Sequence, residues 1–148
     1  MSDSHFIEIL LVEDNPHDLE LALRALRKAN VTNRIQLTRD GAEALEFLFA
    51  EGPYSERHIE SGPKVILLDL KLPKIDGLEV LRRVKSDPRT KTIPVVMLSS
   101  SQEHNDVMES YRLGANSYIV KPVDFQNFAE AVSRIGRYWL LLNQPPPP

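Results

Sequence analysis

The sequence predicts a doubly wound α/β fold, in which five parallel strands form one sheet with helices on both faces. Short apolar runs rich in Val, Ile and Leu alternate with longer segments of helical periodicity. Five such strand–helix units follow one another, which favours parallel strands joined by crossover helices. The third run, residues 65–68, is apolar at every position, as expected of a strand that is buried on both faces.

The elements are predicted in order along the chain. Strands are predicted at residues 7–12, 35–38, 65–68, 94–98 and 118–120, and helices at residues 16–30, 41–50, 78–86, 107–113 and 125–142. Pro16 suits the first turn of the first helix, and Gly114 suits the position after the end of the fourth. Residues 51–63 are polar and contain Gly-Pro twice, which predicts an unusually long loop.

Composition limits the class of protein. A chain of 148 residues favours one domain, predicted at residues 6–142, followed by a Pro-rich tail at 143–148 that we expect to be disordered. No apolar run reaches the length of about 18 residues that a membrane span needs, and the first residues do not resemble a secretory signal. The absence of cysteine excludes disulfides and thiolate metal sites. These features fit a cytoplasmic protein. The net charge of −3 gives no overall electrostatic signature of nucleic-acid binding, with a local basic patch left open as an alternative. We expect neither a nucleic-acid nor a membrane partner.

Charged and hydroxyl side chains follow the predicted strands where each strand ends. They are Glu13 and Asp14 after the first strand, Asp69 after the third, Ser99 and Ser100 after the fourth, and Lys121-Pro122 after the fifth. The carboxyl ends of parallel strands share one edge of the sheet, where such folds bind ligands. Carboxylate oxygens suit Mg²⁺, an ammonium group can pair with phosphoryl oxygens, and an aspartate can accept a phosphoryl group covalently. Together these residues predict an aspartyl-phosphate site.

Each of these residues alone has a plainer interpretation. The acidic pair would also suit a helix N-terminus, Asp69 a turn before Pro73, and Lys121 an ordinary surface position. Pro122 would also serve to end the strand, or mark a cis bond in a tight turn. The prediction depends on the placement of the whole set at the same end of consecutive strands.

Five segments resemble the signature segments of bacterial response-regulator receiver domains of the CheY type. They are Leu11-Val12-Glu13-Asp14-Asn15, Leu67-Leu68-Asp69-Leu70-Lys71-Leu72-Pro73, Asp76-Gly77, Pro94-Val95-Val96-Met97-Leu98-Ser99 and Gly114-Ala115-Asn116-Ser117-Tyr118-Ile119-Val120-Lys121-Pro122. The resemblance covers about residues 6–140. It implies the flavodoxin-like strand order 2-1-3-4-5. It also implies a protein of a two-component phosphorelay that accepts a phosphoryl group from a histidine kinase. Such a protein is not an enzyme, and the one reaction that it would catalyse is the slow loss of its own phosphoryl group.

The resemblance also implies a role for each site residue. Asp69 would be the phosphoacceptor, and Mg²⁺ would be bound by Asp14, Asp69 and the backbone carbonyl of Lys71, with Glu13 acting through water. Ser99 would be the phosphate-sensing hydroxyl, Lys121 the phosphate-binding ammonium and Tyr118 the switch aromatic. Two positions depart from the family pattern. Ser99 stands where Thr is common and lacks the methyl group that restricts the rotamer, and Lys71 stands where a shorter polar side chain is common.

A narrower resemblance lies outside these motifs. The long loop at residues 51–63, the segment Leu72-Pro73-Lys74-Ile75-Asp76-Gly77 and the closing Tyr138-Trp139-Leu140 are similar to small regulators that pair with phytochrome-type photoreceptor kinases. This implies a stand-alone receiver that forms homodimers through its C-terminal region.

The end of the last helix independently predicts an interface. Residues 138–142 are apolar without a break, so they cannot all face one core, and exposed apolar patches commonly mark interfaces. We therefore expect Trp139 and Leu142 at a two-fold homodimer face. The alternative is that Trp139 packs over the core of its own subunit.

Other functions would need other residues. A Mg²⁺-dependent phosphatase of the haloacid-dehalogenase type would use a second Asp two residues after the nucleophile, where this chain has Lys71. A nucleotide- or flavin-binding protein would need a Gly-rich loop after the first strand, where this chain has Glu13-Asp14-Asn15-Pro16. A degenerate receiver that acts only as a scaffold is a further alternative, although the complete set of site residues argues against it.

Overall fold

A five-stranded parallel sheet forms the centre of the structure. The structure is a computed structural model, in which residues 7–28, 34–121 and 125–147 are described. The strands are β1 (Ile9–Val12), β2 (Ile35–Thr38), β3 (Val65–Asp69), β4 (Val95–Ser99) and β5 (Ser117–Val120). Their order is β2-β1-β3-β4-β5, and each neighbouring pair is parallel. The predicted fold class and strand order are confirmed.

Five helices connect and cover the strands. They are α1 (Pro16–Lys28), α2 (Gly41–Leu48), α3 (Gly77–Ser86), α4 (His104–Arg112) and α5 (Phe125–Arg137). Helices α1 and α5 contribute to the core on one face of the sheet, and α2 and α3 contribute to the core on the other. Alternate residues of the central strands enter the two cores, so that Leu67 lies in one and Leu68 in the other. This double burial explains why β3 is apolar at successive positions.

Short polar side chains fix where three helices begin. The side chain of Asn15 accepts hydrogen bonds from the backbone N–H groups of His17 and Asp18, directly before Pro16 at the first position of α1. Asp40 and Asp76 accept from the third residue of α2 and of α3, at 2.7 and 3.0 Å. Each cap satisfies donors that have no partner within the helix.

Several predicted boundaries differ from the observed ones. Strand β1 begins at Ile9, two residues later than predicted, and α2 ends at Leu48, two residues earlier. The predicted end of the first helix, residues 29 and 30, lies outside the described residues, and so does Pro122. The single helix predicted for residues 125–142 is instead α5 followed by a π-helical turn at Tyr138–Leu142. Periodicity alone does not separate the two helix types, because the final apolar residues are compatible with either.

Helix α4 carries large apolar side chains that are exposed. Met108 is 57% and Tyr111 50% exposed. Only Ser110 of this helix is buried. Neighbouring β5 is half-buried along its length, so the edge of the sheet at β5 carries exposed apolar side chains.

The long loop at residues 51–63 is anchored to α2. It contains a short 3-10 helix, Gly52–Tyr54, and the Tyr54 ring packs edge-on against Phe47 with 5.2 Å between ring centroids. The Tyr54 hydroxyl donates a hydrogen bond to Glu43. Arg57 lies over the Phe47 ring, 3.8 Å from its centroid, and donates to the Phe47 carbonyl. The loop is therefore a packed part of the domain surface.

The C-terminal segment packs partly against its own subunit. Trp139 and Leu140 are half-buried beside the core that α1 and α5 share. Tyr138 is 48% exposed, and its ring stands edge-on to Trp139 at 4.8 Å. The side chain of Leu142 lies outside the described part of the structure. Residues 143–147 form neither helix nor strand; the proposed domain limits and the disorder of the tail stay predictions. No helix among the described residues combines the length and the apolar character needed to cross a membrane.

Candidate functional site

The parallel sheet brings the predicted site residues to one edge. Asp69 and Ser99 are the last residues of β3 and β4, while Glu13 and Lys121 directly follow β1 and β5. The Lys121 backbone N–H donates to the Ser99 carbonyl at 2.7 Å, which continues the β4–β5 ladder up to the lysine. The strand register thus determines which side chains converge.

The ammonium group of Lys121 bridges the edge. Its Nζ atom lies 2.6 Å from Glu13 Oε1, 2.9 Å from Asp18 Oδ2 and 3.7 Å from Asp69 Oδ2. The lysine side chain is only 9% exposed, so these ion pairs lie largely out of water, where electrostatic interactions are stronger. The positive charge of the lysine offsets part of the negative charge of the surrounding carboxylates.

Three carboxylates form a group that could hold a cation. Oxygen atoms of Glu13, Asp14 and Asp69 lie within 4.8 Å of one another. Glu13 and Asp69 are buried whereas Asp14 is exposed, so the group opens to solvent on one side. Hard carboxylate oxygens with space for water match the coordination of Mg²⁺. The residues present therefore fit a magnesium ion.

Burial and neighbouring charges shift the pKa values of the side chains at this edge. Burial raises the pKa of Glu13 to about 7, although the hydrogen bond from Lys121 acts in the opposite direction. Burial also raises the pKa of Asp69. For Lys121 burial alone would lower the pKa, but the hydrogen bond to Glu13 and the charge of Asp69 outweigh it and raise the pKa. One ammonium group therefore does not fully compensate the buried acids, and a cation would relieve their repulsion.

The loop after Asp69 has a steric requirement. The Gly77 N–H donates to the Leu70 carbonyl at 2.8 Å. A Cβ atom at position 77 would lie 2.1 Å from the Asp69 carbonyl oxygen and 2.7 Å from that of Leu70. Only glycine allows α3 to begin this close to the backbone of Asp69 and Leu70. Gly77 therefore helps to fix the position of Asp69.

Ser99 and Tyr118, the predicted phosphate-sensing and switch residues, both form a hydrogen bond with Ser101. Ser99 is 2% exposed, and its Oγ accepts a hydrogen bond from the Ser101 N–H at 3.1 Å. The Tyr118 hydroxyl donates to the Ser101 carbonyl at 2.9 Å. The Ser101 hydroxyl in turn donates to Asp106 in the first turn of α4. The loop between β4 and α4 thus links Ser99, Tyr118 and α4.

The structure adds residues that the sequence analysis missed. Asp18 pairs with Lys121 because it lies in the first turn of α1. The signal in the sequence that could have indicated this role is its position four residues after Asp14. Ser101 binds Ser99 and Tyr118 through its backbone N–H and carbonyl groups, and backbone contacts of this kind leave no signature in the sequence. Of the other predicted residues, Lys71 and Ser100 are exposed.

The comparisons with known proteins agree with this geometry. The family model of the response regulator receiver domain matches residues 9–133. Among curated proteins, the probable methanogenesis regulatory protein FilR2 of Methanothrix harundinacea is 41% identical over 140 residues, which cover 95% of this chain and 88% of FilR2. Response regulator Rcp1 of Synechocystis is 39% identical and covers 89% of this chain and 88% of its own.

Solved structures give the same result. The phosphorylated cyanobacterial phytochrome response regulator RcpA is 42% identical with a TM-score of 0.87, covering 95% of this chain and 99% of its own. The Mn²⁺-bound form of Rcp1 is 38% identical with a TM-score of 0.86, over 95% and 99% of the two chains. The chain therefore belongs to the family of response regulator receiver domains and resembles regulators linked to phytochromes.

Proposed function

We propose that this chain is a single-domain response regulator that accepts a phosphoryl group on Asp69 from a partner histidine kinase. The observation that carries the proposal is the position of the Asp69 carboxylate. Its Oδ2 atom is 3.7 Å from the Lys121 ammonium nitrogen, and Asp69 forms, with Glu13 and Asp14, the group of carboxylates that could hold a cation. A nucleophilic oxygen thus stands beside positive charge that can offset an incoming phosphoryl group.

The remaining site residues have supporting roles in this proposal. Asp14, Asp69 and the Lys71 carbonyl would hold Mg²⁺, with Glu13 acting through water, and the ion would neutralise phosphoryl oxygens during transfer. An Asp69 oxygen forms a bond to phosphorus while the phosphorus–nitrogen bond of the kinase phosphohistidine breaks, and that electron pair returns to the imidazole. Lys121 then pairs with a phosphoryl oxygen.

Intact-mass spectrometry tests the phosphoacceptor directly. The protein is incubated with acetyl phosphate, with Mg²⁺ or with a chelator. We expect one added phosphoryl group that requires Mg²⁺, and no addition to Asp69→Asn, which keeps the shape but loses the charged nucleophile. Asp87→Asn, at a half-buried position that is paired with Arg89 and does not belong to the group of three carboxylates, is the matched control and should be labelled normally. Undiminished labelling of Asp69→Asn would overturn the assignment of Asp69, and absence of labelling in the wild-type protein would favour a phosphorylation-independent scaffold.

We propose a phytochrome-type histidine kinase as the partner. The similarity to RcpA along nearly the whole chain supports this proposal. Phosphotransfer from a purified phytochrome-type kinase should be much faster than transfer from an unrelated histidine kinase. Equal rates from the two kinases would contradict the pairing.

Phosphorylation would change the surface through Ser99 and Tyr118. The phosphoryl group draws the Ser99 hydroxyl toward it, which affects the Ser101 N–H that this hydroxyl now binds. The Tyr118 hydroxyl is bound to the same residue, so it can turn inward when the loop moves. The Ser99→Ala protein should still be labelled on Asp69, but phosphorylation should no longer change its structure around β5. Identical rotamers of Ser99 and Tyr118 with and without a phosphate mimic would contradict this switch.

We also propose a homodimer through the C-terminal region, including Trp139 and Leu142. The exposure of Tyr138 beside the half-buried Trp139 supports an apolar patch there, and two-fold contacts commonly bury such patches. Light scattering should give the mass of a dimer, and Trp139→Ala or Tyr138→Glu should shift it toward monomer without loss of labelling. A monomer at high micromolar concentration, with and without a phosphate mimic, would contradict the dimer.

The biological output in this proposal is a protein–protein interaction in the cytoplasm. The chain acts as a phosphoacceptor whose only self-catalysed reaction is slow loss of the phosphoryl group. A half-life of the labelled protein that is far shorter than the time needed to reach a partner would contradict this part of the proposal.

A further inference from the structure

Asp18 makes a contact that the proposed roles do not use. Its Oδ2 atom lies 2.9 Å from the ammonium nitrogen of Lys121, a residue 103 positions away in the chain. The Asp18 side chain is 29% exposed, whereas that of Lys121 is 9% exposed. A hydrogen bond between two charged groups in such a setting is stronger than a neutral one. The contact therefore affects where the ammonium group of Lys121 lies.

Asp18 differs from the other acids around this lysine. Glu13 belongs to the group of carboxylates that could hold a cation, and Asp18 does not. The second oxygen of Glu13 also accepts the Asn15 N–H, so Glu13 has other partners. Asp18 is fixed by the capped first turn of α1. Asp18 is thus the acid that can bind Lys121 independently of a cation.

The distances around Lys121 are unequal. The ammonium group is within hydrogen-bond distance of Glu13 and Asp18 but lies 3.7 Å from Asp69 Oδ2. An ammonium group has three donors, and the two carboxylates occupy two of them. The third donor is not used by either acid, and the 3.7 Å separation from Asp69 Oδ2 is too long for a hydrogen bond. A lysine released by Asp18 could move closer and donate to this Asp69 oxygen.

We propose that Asp18 is a positioning residue that, together with Glu13, holds the Lys121 ammonium group away from Asp69. The Asp69 oxygen then stays open to a divalent cation and to the phosphorus atom. This proposal rests on the proposed function, because it assigns the control of the same nucleophile. Without Asp18, Lys121 moves onto Asp69 and competes with the cation for the same carboxylate.

Calorimetric titration with Mg²⁺ tests this competition in Asp18→Asn. We expect the Mg²⁺ dissociation constant to rise about fivefold, the size expected when one charged hydrogen bond is redirected. Glu20→Gln is the matched control, because it removes one negative charge from an exposed position of the same helix, and its constant should stay within about twofold of wild type. Equal effects of the two substitutions would overturn the proposal.

A double-mutant cycle separates positioning from the simple loss of charge. If Asp18 acts through the lysine, Asp18→Asn should not weaken Mg²⁺ binding further in a Lys121→Ala background. A fivefold loss that persists without the lysine would mean that Asp18 acts on the cation directly, which contradicts the proposal. Asp18→Ser, which keeps a short polar side chain, is a second variant and should behave like Asp18→Asn.

A metal-free crystal structure of Asp18→Asn gives a readout that involves no cation. We expect Lys121 Nζ within hydrogen-bond distance of Asp69 Oδ2, and an unchanged separation would overturn the proposal. Neither the titration nor the crystal structure requires phosphorylation. If Asp69 were not a phosphoacceptor, acetyl phosphate labelling would fail while these two results could still support the positioning role.

Discussion

Substitution of Gly77 by alanine tests whether the start of α3 fixes the position of the backbone at Asp69 and Leu70. The added Cβ would lie 2.1 Å from the Asp69 carbonyl oxygen and 2.7 Å from that of Leu70. Both contacts are with backbone, which cannot rotate away, so the loop must move. Overpacking of this kind costs about 1–3 kcal/mol, and loss of the Gly77–Leu70 hydrogen bond adds about 1 kcal/mol. Because alanine favours helix by up to about 1 kcal/mol, we expect the free energy of unfolding to fall by about 1–4 kcal/mol.

Urea denaturation followed by circular dichroism measures the free energy of unfolding of Gly77→Ala. Gly62→Ala is the matched control, because its Cβ would meet the Cδ1 atom of Ile93, the end of a flexible side chain, at 2.9 Å. This control should lose less than about 1 kcal/mol. The displaced loop should also slow labelling of Asp69 by acetyl phosphate. Equal stability and equal labelling of the two variants would refute the steric argument.

Three further predictions concern charge and capping. Asp69→Asn should stabilise the protein in chelator by about 1–2 kcal/mol, because it removes one charge from a buried acidic group; a lower urea midpoint would contradict this. Burial lowers the pKa of Lys85 to about 8 from its ordinary 10.5, so the unfolded chain binds more protons between these pH values. Between pH 8 and 10.5 the free energy of unfolding of wild type should therefore rise by about 1–2 kcal/mol relative to that of Lys85→Met, after allowance for the partial exposure of Lys85. A difference in unfolding free energy that does not change with pH would contradict this. Asp76→Ala should lose about 1 kcal/mol in urea denaturation as the cap on α3 is lost; an unchanged midpoint would contradict it.

The sequence was sufficient for the sheet and for most of the helices. Strand β3 was recognisable because burial on both faces requires apolar residues at successive positions. The exposure of Met108 and Tyr111 on α4 was not predictable, because helical periodicity identifies an apolar face without showing whether another element covers it. The π-helical turn at residues 138–142 likewise depends on packing against the core.

The site was predictable where residue type and strand end coincide. Asp69, Ser99 and Lys121 stand at strand ends, and parallel pairing brings strand ends together. The contacts of Asp18 and Ser101 became visible only in three dimensions. Asp18 approaches a lysine from the far end of the chain, and Ser101 binds Ser99 and Tyr118 through backbone groups. Residue type alone does not reveal such contacts, because they depend on tertiary geometry.

The most direct measurement of the central claim is the location of the phosphoryl group. The protein is labelled with acetyl phosphate and Mg²⁺, reduced with borohydride, which converts an aspartyl phosphate to homoserine, and digested for peptide sequencing by mass spectrometry. We expect homoserine at position 69 and at no other acidic position of the site, with Asp14 and Glu13 unchanged. Homoserine at position 14, or a modification that survives as a phosphate ester on a hydroxyl side chain, would contradict it.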